Sequence, residues 1–148
     1  MAETTTQDAP IKASEVLDGQ YLTGAELPDA PVTLRIERAN RTEVEDRRTK
    51  KPKKKIELWF VGLSKSLLLN KTNGAAVLAM FGQTSTTWIG KRITIRRVWG
   101  EGFGVEQWLL RIVGSPDIAE PVTIKITEAG KTKNVKLTKT PDGPAKET

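Results

Sequence analysis

The fold is decided by one stretch of the sequence, Leu67-Leu-Leu-Asn-Lys-Thr-Asn-Gly-Ala-Ala-Val-Leu-Ala-Met-Phe-Gly82. Its leucines favour a short strand, and Thr72 or Asn73 can cap a helix that follows. The terminal glycine suits the C-terminal end of that helix. One side of the helix is apolar and is formed by Val77, Leu78 and Phe81. The stretch therefore predicts a short third strand and then a helix over about residues 72–82.

Period-two alternation of apolar and polar residues, typical of half-buried strands, occurs on both sides of this helix. It covers residues 32–37, 56–61, 92–96 and 107–112. The resulting order of three strands, a helix and two strands is that of the OB-fold, a five-stranded Greek-key barrel. The sequence thus predicts an all-β protein with one short helix and an OB-like barrel over residues 28–114. A different small barrel or a sandwich is the alternative.

The segments outside the barrel differ from it in composition. Residues 1–27 are predicted to form an acidic, largely disordered lead-in, in which Thr23-Gly-Ala-Glu26 fits a capping box for one helical turn. Residues 115–148 form a tail. Apolar alternation predicts an appended hairpin over residues 121–138, and residues 140–148 are expected to be disordered.

The composition excludes several kinds of chemistry. The 148 residues include no cysteine and no histidine, which removes disulfides, thiolate metal sites and the commonest general base. No apolar run reaches the length of a membrane span, and Met1 to Pro10 has no apolar stretch of the kind that a secretory signal needs. We therefore expect a cytoplasmic protein that is not an enzyme and uses no cofactor or metal.

The charge of +6 is unevenly distributed along the chain. Residues 1–30 carry one lysine against six acids, whereas residues 31–55 carry ten basic and four acidic residues. Residues 56–114 carry seven basic and three acidic residues. A positive field concentrated in the middle of a chain attracts polyanions, nucleic acid first and an anionic membrane surface second.

The most basic segment is predicted to be the loop between the first two strands. It holds seven bases in nine residues: Arg47, Arg48, Lys50, Lys51, Lys53, Lys54 and Lys55. In an OB-fold this loop is one of those that bind oligonucleotides, and mobile cations there would contact phosphates. A solvated linker and a nuclear-import signal are the alternatives.

Four tryptophans are available for stacking or for the core. Bases stack on aromatic rings with little regard to base identity, so a single-strand binder needs exposed rings beside cations. Trp59, Trp99 and Phe103 are the predicted stacking residues, with core packing as their alternative. Trp88 and Trp108 are predicted to be core residues.

Further cations are predicted to lie beside these rings. Arg35, Arg92 and Arg96 alternate with apolar residues, so they project from the outer face of the sheet and together can line a groove. Arg97 and Lys65 complete the predicted nucleic-acid-binding set. Singly, each of these residues is also an ordinary surface cation.

Four motifs between Tyr21 and Val113 carry a resemblance to a known family. They are Tyr21-Leu-Thr-Gly-Ala-Glu-Leu27, Leu68-Leu-Asn-Lys-Thr-Asn73, Phe81-Gly82 and Trp88-Ile-Gly-Lys91. With them the chain resembles a family of small proteins from phage and prophage replication regions, whose members look OB-like. The resemblance implies binding of single-stranded DNA. The chain departs from the family in its lysine-rich first loop and in its last residues, 141–148, which are not an acidic tip.

These observations together predict a largely sequence-independent single-stranded DNA-binding protein of phage DNA replication or recombination. It would act in the cytoplasm of a bacterial host, beside replication or recombination proteins. Two alternatives remain open at this point. One is an RNA-binding OB module, and the other is a non-enzymatic protein-interaction adaptor of a phage replication or virion assembly.

Overall fold

A computed structural model of the chain describes residues 21–45, 49–102, 105–128 and 130–141. The helices and strands, in chain order, are a 3-10 turn at Gly24–Glu26, β1 (Val32–Glu45), β2 (Pro52–Phe60), β3 (Leu67–Leu68), α1 (Lys71–Phe81), a 3-10 turn at Ser85–Thr87, β4 (Arg92–Gly102), β5 (Val105–Ser115), β6 (Val122–Glu128) and β7 (Lys131–Lys139). The disorder predicted for residues 1–20 and 142–148 lies outside the described residues. Within the described ranges, no helix combines the length and the apolar character needed to cross a bilayer.

The predicted helix is confirmed, but it begins differently. Asn70, and not Thr72 or Asn73, is the cap, since its side chain accepts a hydrogen bond of 2.8 Å from the backbone N–H of Asn73. At the other end Gly82 has a φ of 101°, a conformation that glycine adopts most easily. Its N–H donates to the carbonyl of Leu78 at 2.9 Å and closes the last turn.

The buried face of α1 is the predicted one only in part: Val77 is buried and Phe81 packs, half-buried, against the core, as predicted. Asn73, Ala76 and Val77 are buried, whereas Leu78 is exposed. These buried positions follow the spacing i, i+3 and i+4, which places them on one stripe of the helix. The first residue of this stripe is polar. A prediction from apolar residues alone therefore does not include it.

The strands form one sheet in the order β3-β2-β1-β4-β5-β7-β6. Neighbouring strands are antiparallel except for β5 and β7, which are parallel. The prediction of a mostly β protein with one short helix is confirmed. The prediction of a closed five-stranded barrel is wrong, because the described sheet is open and has seven strands.

The side chain of Asn73 contacts the edge of β5 that a closed barrel would pair with β3. β3 has only two residues and pairs with β2. Asn73 reaches that edge instead. Its Nδ2 donates to the carbonyl of Leu110 at 3.0 Å, and its Oδ1 accepts from the N–H of Ile112 at 3.1 Å. One buried side chain therefore makes the two hydrogen bonds that a neighbouring strand would make.

The hairpin of β6 and β7 is part of the same sheet and is not a separate appendage. Gly114 and Ser115 at the end of β5 pair with Thr138 and Lys139 of β7. A Cβ atom on Gly114 would lie 2.0 Å from the carbonyl oxygen of Thr138, so only glycine permits this approach. Leu137 of β7 is fully buried in the common core.

A bulge in β1 divides the sheet into two ribbons. The register of β1 shifts between Ile36 and Arg38. Before the bulge β1 pairs with the first residues of β4, and after it β1 pairs with β2. We call residues 36–45 with 52–60 the basic ribbon, and residues 96–102 with 105–111 the tryptophan ribbon. The pairing with β4 ends at Ile95, so each ribbon extends from the point where β1 and β4 meet.

The core lies where the two ribbons and α1 meet. Among its fully buried residues are Ile36, Leu58, Phe60, Val77, Ile93 and Ile95. Trp88 is only 2% exposed, and its Nε1 donates to the carbonyl of Gly82 at 2.8 Å. The prediction that Trp88 is a core residue is confirmed.

Candidate nucleic-acid interface

The tryptophan ribbon presents two indole rings to solvent. Trp99 and Trp108 lie opposite each other in the register of β4 and β5. Their centroids are 5.1 Å apart, and the rings meet edge to face at 79°. Trp99 is 55% exposed and Trp108 is 37% exposed. The prediction that Trp108 is a core residue is therefore wrong, and Trp99 is accessible to a ligand.

Both rings are exposed because β4 and β5 extend beyond the core. Ile93 and Ile95 are fully buried, and the same face of β4 continues through Arg97 to Trp99. The alternation of side chains continues along the strand, but beyond Ile95 the core no longer covers this face of β4.

An arginine completes this cluster. The guanidinium carbon of Arg97 lies 4.0 Å from the ring centroid of Trp108, within the range of a cation–π interaction. At the other ring, Trp99 Nε1 donates to the carboxylate of Glu106 at 3.3 Å. We refer to Arg97, Trp99 and Trp108 as the tryptophan cluster. It offers π-faces beside a positive charge.

The basic ribbon has a second, smaller aromatic site. Arg38 and Trp59 are register partners on β1 and β2, and the Arg38 guanidinium lies 4.7 Å from the ring centroid of Trp59. With its amide oriented to suit these neighbours, Asn40 accepts from Arg38 at 2.9 Å and from Trp59 Nε1 at 3.2 Å. Trp59 is half-buried, so it offers less of its ring than Trp99 does.

The lysines of the first loop are placed differently from the prediction. Lys53, Lys54 and Lys55 belong to β2 and not to a loop. Lys53 and Lys55 share the face of Trp59, because strand positions alternate, whereas Lys54 lies opposite Glu43 on the other face. Pro52 does not prevent this pairing, since proline is tolerated as the first residue of a strand.

The remaining loop cations are only partly described. Lys50 and Lys51 are exposed between β1 and β2. Arg47 and Arg48, and also Phe103 between β4 and β5, lie outside the described residues. β4 extends to Gly102, and β5 begins at Val105.

Two of the three groove arginines have structural partners. Arg92 donates to Asp117 from its backbone N–H at 2.7 Å, from Nε at 3.2 Å and from Nη2 at 2.6 Å. These hydrogen bonds from Arg92 lower the pKa of the Asp117 carboxyl, although partial burial opposes the shift. Arg35 donates to the carbonyl of Gly90 at 2.7 Å. Both residues hold the sheet to its connecting loops.

The third groove arginine is better placed for a ligand. Arg96 is exposed, and it faces Arg111 directly across the β4–β5 pair. Two arginines therefore lie side by side on this face of the sheet. Arg96 also borders a shallow depression of about 460 Å³, lined by Pro31, Thr33, Thr94, Arg96, Val113, Thr138, Thr140 and Pro141.

Two predicted site cations are paired with acids that precede β1. Lys65 forms an ion pair with Glu26, and Arg97 forms one with Asp29. The carboxylate of Glu26 also accepts from the N–H and the hydroxyl of Thr23, both at 2.9 Å. Burial raises the pKa of Glu26, but the hydrogen bonds from Lys65 and Thr23 outweigh it, and the net shift is downward.

Three contributors were absent from the predicted set: Arg38, Asn40 and Trp108. The bulge at residue 37 changes which side chains of β1 face β2, and no feature of the sequence marks it. Trp108 shares its alternation with Leu110 and Ile112, so the pattern indicated burial. The sequence pattern does not show that Trp108 lies beyond the end of the core.

The described residues contain no group of three or more acidic side chains that could hold a metal ion. The arrangement described above is a surface of aromatic rings and cations. Comparison of the chain with protein-family models, with curated proteins and with solved structures found no match.

Proposed function

We propose that this protein binds single-stranded DNA with little sequence preference. The observation that carries the proposal is the tryptophan cluster, in which two exposed rings lie beside the Arg97 guanidinium. An exposed pair of indoles costs solubility and adds little to a core, so a ligand that covers them accounts for their position.

The chemistry of the cluster suits unpaired bases. A base can stack on an indole whatever its identity, and each such stack contributes about 1–3 kcal/mol. In duplex DNA the base faces already stack on one another. Arginine adds a cation–π contribution and a contact to phosphate. The cluster therefore favours a single strand over a duplex.

The order of the strands supports the same ligand. β3-β2-β1-β4-β5, with α1 between β3 and β4, is the order found in an OB-fold. OB-folds bind oligonucleotides with the β1–β2 and β4–β5 loops, which here lie at the ends of the two ribbons. We propose that residues 28–114 form an opened OB-like fold, completed by the β6–β7 hairpin.

The proposed role follows from the ligand and from the family resemblance. The protein would coat single strands during phage DNA replication or recombination, in the cytoplasm of a bacterial host. It would act without catalysis and without a cofactor, beside replication or recombination proteins.

The proposal is tested by titrating the intrinsic tryptophan fluorescence with oligo(dT) at low and high salt. Trp99→Ala and Trp108→Ala should each weaken binding by about 1–3 kcal/mol, because each removes a stacking surface. Leu78→Ala is the matched control, since Leu78 is an exposed apolar residue of α1 and is not part of the tryptophan cluster. Its affinity should equal that of the wild type.

Matched oligomers separate the competing interpretations. Binding to duplex DNA should be weaker than binding to oligo(dT), and tighter binding to oligo(U) would assign RNA as the ligand. Absence of quenching by every oligomer would refute nucleic-acid binding and favour a protein-interaction adaptor.

A further inference from the structure

The end of the lead-in is fixed against the sheet. The N–H of Leu22 donates to the carbonyl of Ser66 at 2.7 Å, and Leu27 is buried in the core. Gly24 lies so close to β5 that a Cβ atom there would be 2.6 Å from the backbone of Leu109. Residues 22–29 therefore pass directly beside the tryptophan ribbon in a defined position.

This placement brings two acids onto cations of the proposed site. Glu26 pairs with Lys65, and Asp29 pairs with Nη2 of Arg97. Arg97 is the arginine that stacks on Trp108, and its Nε is buried without a hydrogen-bond partner among the described residues. Asp29 thus occupies one of the guanidinium donors of the cluster's own cation.

Asp29 is well placed to be displaced. Its side chain is 89% exposed, whereas that of Arg97 is 23% exposed. An exposed ion pair contributes little stability, so its loss costs the fold little. A carboxylate and a phosphate accept hydrogen bonds from the same guanidinium donors. A phosphate that binds Nη2 of Arg97 therefore has to replace the carboxylate of Asp29.

We propose that Glu26 and Asp29, the two acids that precede β1, are internal competitors of the nucleic-acid backbone. They occupy Arg97 and Lys65 when the protein is free, and phosphates replace them when a strand binds. The inference rests on the proposed function, because it concerns the same cations.

The test compares single charge-removing variants in oligo(dT) titrations. Asp29→Asn should bind about two- to fivefold more tightly than the wild type at low salt, the range expected for freeing a cation from an exposed ion pair. The gain should shrink as salt rises. Glu26→Gln should act in the same direction while its amide oxygen still accepts from Thr23. Glu120→Gln removes one exposed carboxylate outside the lead-in and is the matched control.

The outcomes separate this inference from the proposed function. A gain in Asp29→Asn that exceeds the gain in Glu120→Gln, at an unchanged melting temperature, supports competition. Equal gains in the two variants, or a loss in Asp29→Asn, would overturn it while leaving DNA binding intact. Failure of the wild type and of all variants to bind any oligomer would reject the function and the competition together.

Discussion

Single residues in this protein act through the partners that the sheet brings to them. Arg92 illustrates this, because alternation placed it correctly on the outer face, yet its guanidinium is held by Asp117 and serves the fold. Alternation predicted Arg96 as a groove arginine. The next residue, Arg97, is the one that lies over the ring of Trp108. Residue type and face were predictable, whereas the partner of each cation was not.

The Asp117–Arg92 pair predicts a dependence of stability on pH. The pKa of Asp117 is lowered in the folded state from its ordinary value of 3.8, so the folded protein holds the proton less tightly than the unfolded chain does. The resulting stabilisation is present above about pH 4, where the carboxyl is ionised in both states, and is lost as the pH falls through the folded pKa. Asp117→Asn should therefore be less stable than the wild type near pH 7, and the difference should shrink toward pH 3.

Urea unfolding of both proteins between pH 3 and pH 7 measures this difference. Glu120→Gln, which removes a nearby exposed carboxylate, shows how much of the change reflects net charge alone. A difference between Asp117→Asn and the wild type that stays constant over the whole range would contradict the assignment.

At the scale of the elements, α1 and the edge of β5 depend on one side chain. Asn73 supplies a donor to Leu110 and an acceptor to Ile112 inside the core. Buried backbone groups that lose their partners cost about 1–3 kcal/mol each. Asn73→Ala should lower the free energy of unfolding by about 2–6 kcal/mol, since two groups are left unpaired at once.

Chemical denaturation of Asn73→Ala beside Asn134→Ala checks this prediction. Asn134 is exposed on β7, and its change should alter the free energy of unfolding by less than about 0.5 kcal/mol. If both variants unfold at the same denaturant concentration, the two hydrogen bonds do not hold the edge of β5.

The elements also show where sequence reasoning reached its limit. The position of α1, the first five strands and the burial of Trp88 followed from periodicity and capping signals. The open edge did not, because it depends on a buried asparagine of α1, and a pattern of apolar residues does not include an asparagine. The ends of the ribbons were misjudged for a related reason, since alternation defines a face but not where the core stops covering it.

In the whole molecule, the lysines of β2 lie on the basic ribbon, and the two exposed indole rings lie on the tryptophan ribbon. Lys53 and Lys55 lie on the same face of the basic ribbon as Trp59. Cations that contact phosphates release counterions, so the logarithm of the affinity for a single strand falls with the logarithm of salt by about 0.7 per phosphate. Lys53→Gln with Lys55→Gln should reduce this slope by about 1.4 and leave the melting temperature nearly unchanged.

Affinities for oligo(dT) at several salt concentrations give the slope. Lys131→Gln with Lys136→Gln removes the same charge from β7, where both lysines are exposed. The same reduction in both double variants would show a general effect of net charge and would exclude a specific path along the basic ribbon.

The shared strand β1 has a consequence for the order of folding. Its second part pairs with β2, which follows after a short connection, whereas Thr33 in its first part meets Thr94, 61 residues later. At synthesis rates of about 5–20 residues per second, this interval lasts roughly 3–12 seconds. The apolar beginning of β1 therefore leaves the ribosome with an unpaired edge. By then the second part of β1 can already pair with β2 as a hairpin. Folding of the nascent chain has to wait for β4 before the two ribbons can be joined.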